Sequence, residues 1–537
     1  MSKFDELLIL LGTGRWNLVT FFAAGYWMIQ VPCQSVGGAF LTPEVDHSCR
    51  LPPEATNVSE VSQCKYNVTT SVGSFEERPC LQWDFDNTTY TNTLTSEFQL
   101  VCEYRFLRPA FKSLYFFGAF VGAPLNGWLS DKYGRKTMLV VGTLTYSVLA
   151  NAVSWLHNIS VILLARFCLG LMHPTSIHSA FSLAMEICVP RYRSFVGILV
   201  FLPWSLSVIA LGGYGYLLRD WRWLMFTVCL PSLLFLPALW FIDESPRWLI
   251  VKGRHQEALR VLRRAAKWNK VKLPRDEELL TIMAEIQKEQ EDGRSQGRAS
   301  SSALADHLRN AGNELIILFK TRRIRTLTLY LYVNHVVAGL VYYGLSLGGD
   351  KFGVDPFVYM SLSGAMELPG STLTIPMVDR MGRRPSNAIC FFVTAAVLLV
   401  LGVIPTGIDW LVTTMALLGK LTIAAAYQVL SLQATELFPT EVRLRGLGTC
   451  SMMSKIGSIS APFLVEALGT IGSWAPLVLF GAAGFVAGVV TLRLPETRGT
   501  LMQDTVAGLE ASGKTVKEKS APLAQQEQYL EEKETLT

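Results

Sequence analysis

The chain has 537 residues, of which 50% are apolar, 11% aromatic and only 17% charged, and its formal net charge is +5. This composition, with a mean hydropathy of +0.31, is typical of a membrane protein and excludes a chain built only of soluble domains. The small positive charge fits basic membrane loops, so we expect no nucleic-acid surface.

Twelve apolar stretches are long enough to cross a bilayer, because about 20 helical residues are needed and every backbone amide must be bonded within the helix there. The stretches are 18–40, 111–129, 138–155, 161–187, 195–217, 223–241, 327–347, 356–378, 388–404, 410–432, 446–468 and 475–492. We interpret the first as a retained span and not as a cleaved signal peptide.

The loop 41–110, between the first two spans, has the features of an extracellular segment. An even set of cysteines suits an oxidising compartment and allows three disulfide connectivities: Cys49, Cys64, Cys80 and Cys102. Three N-x-[ST] glycosylation sequons lie beside them, at Asn57, Asn67 and Asn87. We therefore expect this loop outside the cell and residues 1–17 in the cytoplasm.

The distribution of basic residues supports the same orientation, since short cytoplasmic loops are rich in Lys and Arg. The loops after even-numbered spans are basic, whereas LHNIS and PTGID on the other side have almost no positive charge. The linker 242–326 and the tail 495–537 are then cytoplasmic. In the linker, QEALRVLRRAAKW has an amphipathic pattern, and Ser300, Ser301 and Ser302 follow Arg298 as a candidate kinase target; a solvated linker is the alternative.

Short motifs recur at corresponding places in the two halves of the chain. GWLSDKYGRK is repeated as PMVDRMGRRP, EICVPRYRSFVG as TELFPTEVRLRG, and DESPRW as LPETRG. Glu186 and Glu436 lie 250 residues apart, and the other pairs keep nearly the same offset. This register predicts an all-α polytopic membrane protein in which 18–241 and 327–494 form two pseudo-symmetric six-helix halves that rock about a central site.

We interpret the repeated loops as a gate at the cytoplasmic mouth. Glycine permits the tight reversal between helices, and the acids and bases are able to hold the halves together while the outer side is open. Positive-inside flanking alone explains the bases but not the acids. The gate candidates are Asp131, Gly134, Arg135, Lys136, Glu186, Arg191, Arg193, Glu244, Arg247, Asp379, Gly382, Arg383, Arg384, Glu436, Arg443, Arg445 and Glu496.

GLEASGKT, from Gly508 to Thr515, has the letters of a phosphate-binding loop. Such a loop needs a buried strand before it and a helix after it. This stretch instead follows the last span and precedes a polar tail that we expect to be disordered. We treat it as a chance match and expect no ATP, no other cofactor and no enzymatic activity.

Three segments resemble those of the organic cation, organic anion and carnitine transporter family, which belongs to the major facilitator superfamily. They are TNTLTSEFQLVCE, DESPRWLIVKGRHQEALRVLRRAAKWN and ATELFPTEVRLRGLG, and the resemblance runs nearly end to end. The family's outer loop usually has six cysteines, against four here. The resemblance implies the major facilitator fold, a plasma-membrane location and polyspecific transport of small organic ions by facilitated diffusion, exchange or ion coupling. A sugar-type facilitator and a non-transporting receptor are the alternatives.

Two charges lie near span centres, where an unpaired charge is costly: Glu367 and Lys455. Either they pair with each other, or they face the central path and select the charge of the substrate. By resemblance, the position of Lys455 holds an acid in cation carriers and a base in anion and carnitine carriers, and the acid at Glu367 occurs in cation and carnitine carriers. At Ser371 anion carriers often have Lys, while Gln428 matches a glutamine of cation carriers. We favour organic anions or zwitterions, with an organic cation transporter as the alternative.

Aromatic residues are expected to complete a tolerant pocket. Tyr342 and Tyr343 match a tyrosine pair of the anion carriers and are suited to stacking on a flat ring or a cation. We interpret Tyr427, Trp27 and Trp204 as packing or interfacial residues, and Arg166 and Lys420 as buried structural bases. His173 and His178 do not share one helix face, so we assign them no metal or proton-relay role and expect no metal site.

Overall fold

The computed structural model describes residues 3–51, 58–69, 75–200, 202–295, 316–404, 408–439, 441–498, 506 and 509–510. Asn57, Ser300, Ser301, Ser302 and most of GLEASGKT lie outside the described residues, so those predictions are not addressed by it.

The architecture is helical, as expected for a polytopic membrane protein. Helices before the linker are α1 (Lys3–Leu11), α2 (Arg15–Ser35), α3 (Gly38–Leu41), α4 (Leu94–Glu97), α5 (Leu107–Tyr133), α6 (Arg135–Val153), α7 (Ile159–Glu186), α8 (Arg193–Leu199), α9 (Leu202–Leu217) and α10 (Trp221–Leu234). A 3-10 turn, Leu236–Phe241, extends α10, and the linker forms α11 (Pro246–Val251), α12 (His255–Asn269) and α13 (Asp276–Ser295). The remaining helices are α14 (Arg322–Leu347), α15 (Pro356–Met381), α16 (Arg383–Val403), α17 (Asp409–Leu437), α18 (Arg443–Gly469) and α19 (Trp474–Arg493).

Each of the twelve predicted spans coincides with helix. Within the described residues, seven helices are long and apolar enough to cross a membrane, and the bent pair formed by α1 and the run Arg15–Leu41 makes an eighth. The seven do not include α15 and α18, which carry Glu367 and Lys455. Glu367 and Lys455 therefore lie on helices outside this set, whereas the buried bases Arg166 and Lys420 lie on α7 and α17, which belong to it.

Two glycines set equivalent turns in the two halves. Gly134, between α5 and α6, has φ +102°, and Gly382, between α15 and α16, has φ +93°. Their ψ values of 158° and 174° complete a backbone conformation that is essentially restricted to glycine. A Cβ at Gly134 would also meet the carboxylate of Glu244, and one at Gly382 that of Glu496. Both the backbone conformation and the neighbouring carboxylate therefore exclude a side chain at the glycine of each repeated motif.

The two halves meet through α5 against α18 and α9 against α15. Within the first half α5 packs tightly on α7, where a Cβ at Gly170 would overlap the backbone of Tyr115. The corresponding contact of the second half joins α15 and α17. Functional side chains on α5, α7, α9, α14, α15, α17 and α18 are thereby directed toward the middle of the bundle.

The segment between α3 and α5 carries small β-sheets. Strands β1 (His47–Cys49) and β5 (Trp83–Phe85) pair antiparallel, with Ser48 opposite Asp84, and β2 (Val58–Val61), β3 (Lys65–Thr69) and β4 (Phe75–Pro79) form a second antiparallel sheet. Disulfides join Cys49 to Cys80 and Cys64 to Cys102, which selects one of the three connectivities. Asn67 lies on β3 and Asn87 is exposed after β5. We call the membrane side with this segment the disulfide face.

The opposite side, which we call the linker face, has a separate hydrophobic core. Phe4, Leu7, Leu8 and Leu11 of α1 pack with residues of α11, α12 and α13, including Trp248, Leu262 and Met283. Asp5 pairs with Arg193 of α8 at 2.6 Å. The N-terminus and the linker are therefore attached to the first half.

A short part of the tail is attached to the second half. The Val506 amide donates to Glu441 at 3.1 Å. The carboxylate of Glu510 accepts from the hydroxyl of Thr321 and from the amide of Arg323 at the start of α14. Helix α1 and the residues Val506 and Glu510 are thus attached to different halves.

Candidate functional site

A buried ion pair lies at the centre of the second half. Lys420 Nζ on α17 is 3.1 Å from Glu367 Oε1 on α15, and the two side chains are 1% and 6% exposed. Lys420 also donates to Ser346 Oγ and lies over the ring of Tyr342, whose hydroxyl donates to Glu367. Burial of each charge is therefore offset by an opposite charge and by neighbouring dipoles. The partner of Glu367 is Lys420, and the pairing of Glu367 with Lys455 that the sequence left open is not the one observed.

Lys455 has a different environment. It is half-buried on α18 and has no ion pair within the described part of the chain. Its Nζ lies 5.9 Å from the ring centroid of Phe116 on α5, and it interacts electrostatically with His173 and His178 on α7. Because α5 and α7 belong to the first half, Lys455 faces the space between the halves.

The predicted tyrosine pair lies between the Glu367–Lys420 ion pair and Lys455. Tyr342 and Tyr343 are 9% and 7% exposed, with ring centroids 5.0 Å apart. Tyr343 packs on Phe116 at 4.5 Å, and Tyr342 accepts a hydrogen bond from Trp204 Nε1 at 3.2 Å. Tyr427 Oη lies 3.0 Å from Ser454 Oγ, next to Lys455. Trp204 and Tyr427, interpreted from sequence as packing residues, thus also belong to this aromatic group.

Gln428 and Ser371 are brought together at the edge of the same region. Gln428 Nε2 donates to Ser371 Oγ at 3.1 Å, and Ser371 Oγ donates to the carbonyl of Glu367 at 2.9 Å. We call the set Trp204, Tyr342, Tyr343, Glu367, Ser371, Lys420, Tyr427, Gln428 and Lys455 the central cluster. The structure therefore places all six predicted substrate-binding residues in one region, with Lys420 among them.

Sequence reasoning missed several neighbours of this cluster. Ser205 Oγ lies 3.5 Å from Glu367 Oε2, and Phe116 is buried against Tyr343. Ser205 and Lys455 lie 250 residues apart, as do His178 and Gln428, so they share the register of Glu186 and Glu436. The repeat was the signal that could have identified Ser205.

Arg166 occupies the position in the first half that corresponds to Lys420, but it has no carboxylate partner among the described residues. It is 1% exposed, donates to the backbone and side-chain oxygens of Gln34, and lies 4.3 Å from the ring of Phe111. These contacts join α7 to α2 and α5 and agree with a structural role. Trp27, also buried, packs edge-on against Tyr146.

The gate candidates of the first half pair with one another. Arg135 lies 2.8 Å from Asp131 and 3.1 Å from Glu186. Glu244 accepts the backbone amides of Arg135 and Lys136. Burial raises the pKa of the Glu244 carboxyl above its ordinary value, although these amide donors act in the opposite direction.

The second half repeats this arrangement. Arg383 lies 2.8 Å from Glu436, and Glu496 accepts the amides of Arg383 and Arg384. Burial of Glu496 acts to raise its pKa, but donation from the amides of Arg498, Arg383 and Arg384 brings the value below the ordinary one.

The remaining gate candidates have simpler surroundings. Arg247 lies 5.9 Å from the ring of Phe4, Arg191 lies beside Tyr192, and Arg443 donates to the Phe438 carbonyl. Asp379 is exposed at the end of α15, and Arg445 is half-buried on α18. In the described residues the ion pairs of Arg135 and of Arg383 each stay within one half, so these two arginines do not join the halves in this state.

Ion pairs between the halves lie instead on the disulfide face. Arg105 Nε is 2.5 Å from Glu466 of α18, and Arg108 contacts the same carboxylate. Glu44 lies 3.1 Å from Arg105 and 3.5 Å from Lys351 of the second half. We call these five residues the outer ion cluster. The bundle is therefore closed on the disulfide face.

Comparison with known proteins gives consistent similarities. Residues 65–505 match the family described as Sugar (and other) transporter. The chain is 32% identical to the "Organic cation transporter protein" of Drosophila melanogaster, over 91% of this chain and 92% of that protein. It is 29% identical to "Organic cation/carnitine transporter 2" of Homo sapiens, over 94% of both chains. It is 34% identical to "Solute carrier family 22 member 2" of Rattus norvegicus, over 78% of this chain and 72% of that protein.

Solved structures share the fold. The proton:xylose symporter XylE bound to 6-bromo-6-deoxy-D-glucose superposes with a TM-score of 0.57 at 15% identity, covering 93% of this chain and 98% of that chain. The inward open conformation of the xylose transporter XylE from E. coli gives a TM-score of 0.60 at 15% identity, over 92% and 98% of the two chains.

Proposed function

Because the chain belongs to the organic cation, organic anion and carnitine transporter family of the major facilitator superfamily, we propose that it transports small organic anions across the plasma membrane. The observation that carries this charge preference is the pairing of Glu367 with Lys420. That pair is neutral as a whole, so Lys455 remains as an unbalanced cation facing the space between the halves. A substrate carboxylate supplies the missing negative charge.

The aromatic part of the central cluster gives the remaining binding energy. Tyr343 and Phe116 offer ring surface beside Lys455, and stacking of this kind tolerates substrates of different shape. A flat carboxylic acid therefore fits better than a simple aliphatic ion. A polyspecific site follows from one fixed charge surrounded by adaptable apolar contacts.

Transport proceeds by alternating access between the two halves. The outer ion cluster closes the disulfide face here, while the motif ion pairs on the linker face stay within their own halves. When the disulfide face opens, the outer pairs separate and the gate motifs of the two halves approach each other. We assign the disulfide face to the outside, with glycans at its sequons, and both termini to the cytoplasm.

An organic cation is the second candidate substrate, and two observations favour it. Two of the similar proteins carry organic cation transport in their names, and Gln428 contacts Ser371 at the edge of the cluster as an uncharged pair. For a cation to bind, Glu367 would have to release Lys420. In the cation hypothesis the substrate competes with Lys420 for Glu367, whereas in the anion hypothesis the Glu367–Lys420 pair stays intact.

The function is tested with purified protein in liposomes and three labelled probes: an aromatic carboxylate, a carnitine-like zwitterion and a quaternary ammonium. We expect saturable uptake of the carboxylate that accelerates when unlabelled carboxylate is loaded inside. Uptake of the zwitterion should be weaker, because it brings a cation toward Lys455. Uptake of the quaternary ammonium alone would overturn the anion assignment, and absence of all three would overturn the proposed transport of organic ions.

A further inference from the structure

Helix α1 presents apolar side chains on two sides. Phe4, Leu7, Leu8 and Leu11 are buried against the linker helices, but Ile9 and Leu10 are 49% and 54% exposed. Glu6 is the exposed acid on this helix and lies about one turn before Ile9. These two neighbouring apolar side chains on a nine-residue helix would be stabilised by an apolar partner in place of water.

The bend after α1 identifies the direction of that partner. The axis of α1 makes an angle of 106° with the run Arg15–Leu41, so it lies close to perpendicular to a membrane-spanning helix and hence along the membrane surface. The exposed apolar face continues into α2, where Leu18 and Phe22 are 58% and 69% exposed. Since α2 faces lipid at these residues, Ile9 and Leu10 extend the same lipid contact into the interfacial region.

Unpaired bases surround this place. Arg15 begins α2, and Lys267, Lys270 and Lys272 lie at and beyond the end of α12; all four are exposed. Over the described residues, none of them has an ion pair. Such bases are attracted to anionic headgroups when they lie near a membrane surface.

Asn269 holds the end of α12 beside the bend. Its side chain accepts from the amide of Trp16 at 3.1 Å and donates to the carbonyl of Leu11 at 3.2 Å and to Asn17 at 3.0 Å. Lys270 follows it directly, in the left-handed conformation with φ +57°. The end of α12, with Lys270 directly after Asn269, is thereby held at the bend that joins Leu11 of α1 to Trp16 of α2.

We propose that Ile9, Leu10, Arg15, Lys267, Lys270 and Lys272 form a binding site for anionic phospholipids in the leaflet on the linker face. The apolar residues contact the upper acyl chains, and the bases contact the phosphate and carboxylate groups of the lipid. We call this set the headgroup patch. It anchors the linker helices, and with them the first half, to the membrane surface. In a cell the lipid source depends on the cytoplasmic orientation proposed above, because anionic lipids are concentrated in that leaflet.

The test uses the full chain in nanodiscs of phosphatidylcholine alone or mixed with phosphatidylserine. Hydrogen exchange is followed in peptides covering 3–15 and 267–272, and retained lipid is counted by native mass spectrometry. We expect slower exchange and retained phosphatidylserine only in the mixed discs, with the protection reduced by high salt. Equal exchange in both lipids would overturn the proposal.

Matched variants separate the roles of the residues. Lys267→Gln/Lys270→Gln/Lys272→Gln should weaken phosphatidylserine binding about 100-fold, since each base near a membrane contributes roughly a fivefold factor. The control Lys252→Gln/Lys288→Gln removes exposed bases elsewhere on the linker and should bind like the wild type. The variant Ile9→Ser/Leu10→Ser keeps all the bases of the headgroup patch but should lose the protection from hydrogen exchange in the mixed discs. Wild-type binding by the triple variant, or equal loss in the control, would contradict the site.

Inorganic phosphate added to phosphatidylcholine discs should give no protection, because it lacks the acyl chains that Ile9 and Leu10 contact. Protection by phosphate alone would show that the patch binds anions without the acyl chains, and it would contradict the proposed lipid site. Because these measurements involve no substrate, they remain decisive even if uptake of organic anions fails.

Discussion

Glu367, Lys420 and Lys455 form an unequal set of three charges, because two of them neutralise each other and one faces the path. The sequence did not reveal that Glu367 is paired and Lys455 is not, because both are simply charged residues near the centres of predicted spans. The partner of Glu367 depends on the rotation of α15 against α17, which apolar periodicity does not specify. The sequence did identify Lys420 as a buried base.

The first prediction concerns Lys455. Lys455→Asp should reduce carboxylate uptake about 30-fold or more, since removing one member of a buried charge pair costs about 2–5 kcal/mol of binding free energy. Lys455→Arg should retain most of the uptake. Both are measured as initial rates in liposomes; unchanged carboxylate uptake in Lys455→Asp would contradict the assigned role.

The second prediction concerns the buried pair itself. Glu367→Gln or Lys420→Gln leaves the other charge buried and should lower the free energy of unfolding by about 3–5 kcal/mol. The double variant Glu367→Gln/Lys420→Gln should recover much of this loss because no isolated charge remains. Thermal melting of the purified proteins measures the difference. If the two single losses simply add in the double variant, the residues do not stabilise each other.

The third prediction concerns pH and the equivalent carboxylates Glu244 and Glu496. The lowered pKa of Glu496 means that its ionised form stabilises the fold above the ordinary Glu pKa, and this contribution is lost as pH falls through the folded value. The raised pKa of Glu244 has the opposite sign: its contribution is present below the ordinary pKa and is lost as pH rises through the folded value.

On acidification from neutral pH, the melting-temperature difference between wild type and Glu496→Gln should therefore shrink. Over the same titration, the melting temperature of the wild type should rise relative to that of Glu244→Gln, because protonated Glu244 is the form that the fold favours. Melting curves at a series of pH values measure both, and parallel changes in the two variants would contradict the opposite signs.

At the scale of elements, the helices were predictable to within a few residues because an apolar stretch and a glycine turn are local signals. The disulfide connectivity was not, since it depends on how β1 to β5 fold back on one another. The bend of 106° after α1 was also missed. It arises from packing of α1 on linker residues that lie far away in the chain.

The fourth prediction tests the glycine turns. Gly134→Ala or Gly382→Ala should cost on the order of 1–3 kcal/mol of stability, because the backbone conformation there is nearly closed to other residues. Gly127→Ala is the matched control: it lies inside α5, and a Cβ there meets nothing within 4 Å. That change should be neutral or stabilising in melting experiments. Equal tolerance at all three positions would show that the turns are not strained.

At the scale of the whole molecule, the asymmetry between the two faces defines the state. Cross-half ion pairs are present at the disulfide face, while the gate motifs pair internally. The latch predicted at the linker face therefore remains a prediction for the opposite state. The sequence provided the parts of the gate but not which state is occupied, because that depends on a small free-energy difference between two packings.

The fifth prediction follows from the outer ion cluster. Glu466→Gln removes the carboxylate that Arg105 and Arg108 share and should shift the population toward opening of the disulfide face. In a Lys455→Cys background, an impermeant maleimide added from that face should then label the protein several-fold faster. Glu103→Gln changes a nearby exposed acid and is the control. Unchanged labelling in Glu466→Gln would show that the cluster does not control opening.

Because α1 is attached to the first half and Glu510 to the second, the distance between these two places reports the relative motion of the halves. A donor fluorophore fused before α1 would travel with the first bundle, and an acceptor placed just after Glu510 would travel with the second. Energy transfer between them would change with every rocking motion, in intact cells and without any modification of the transport path.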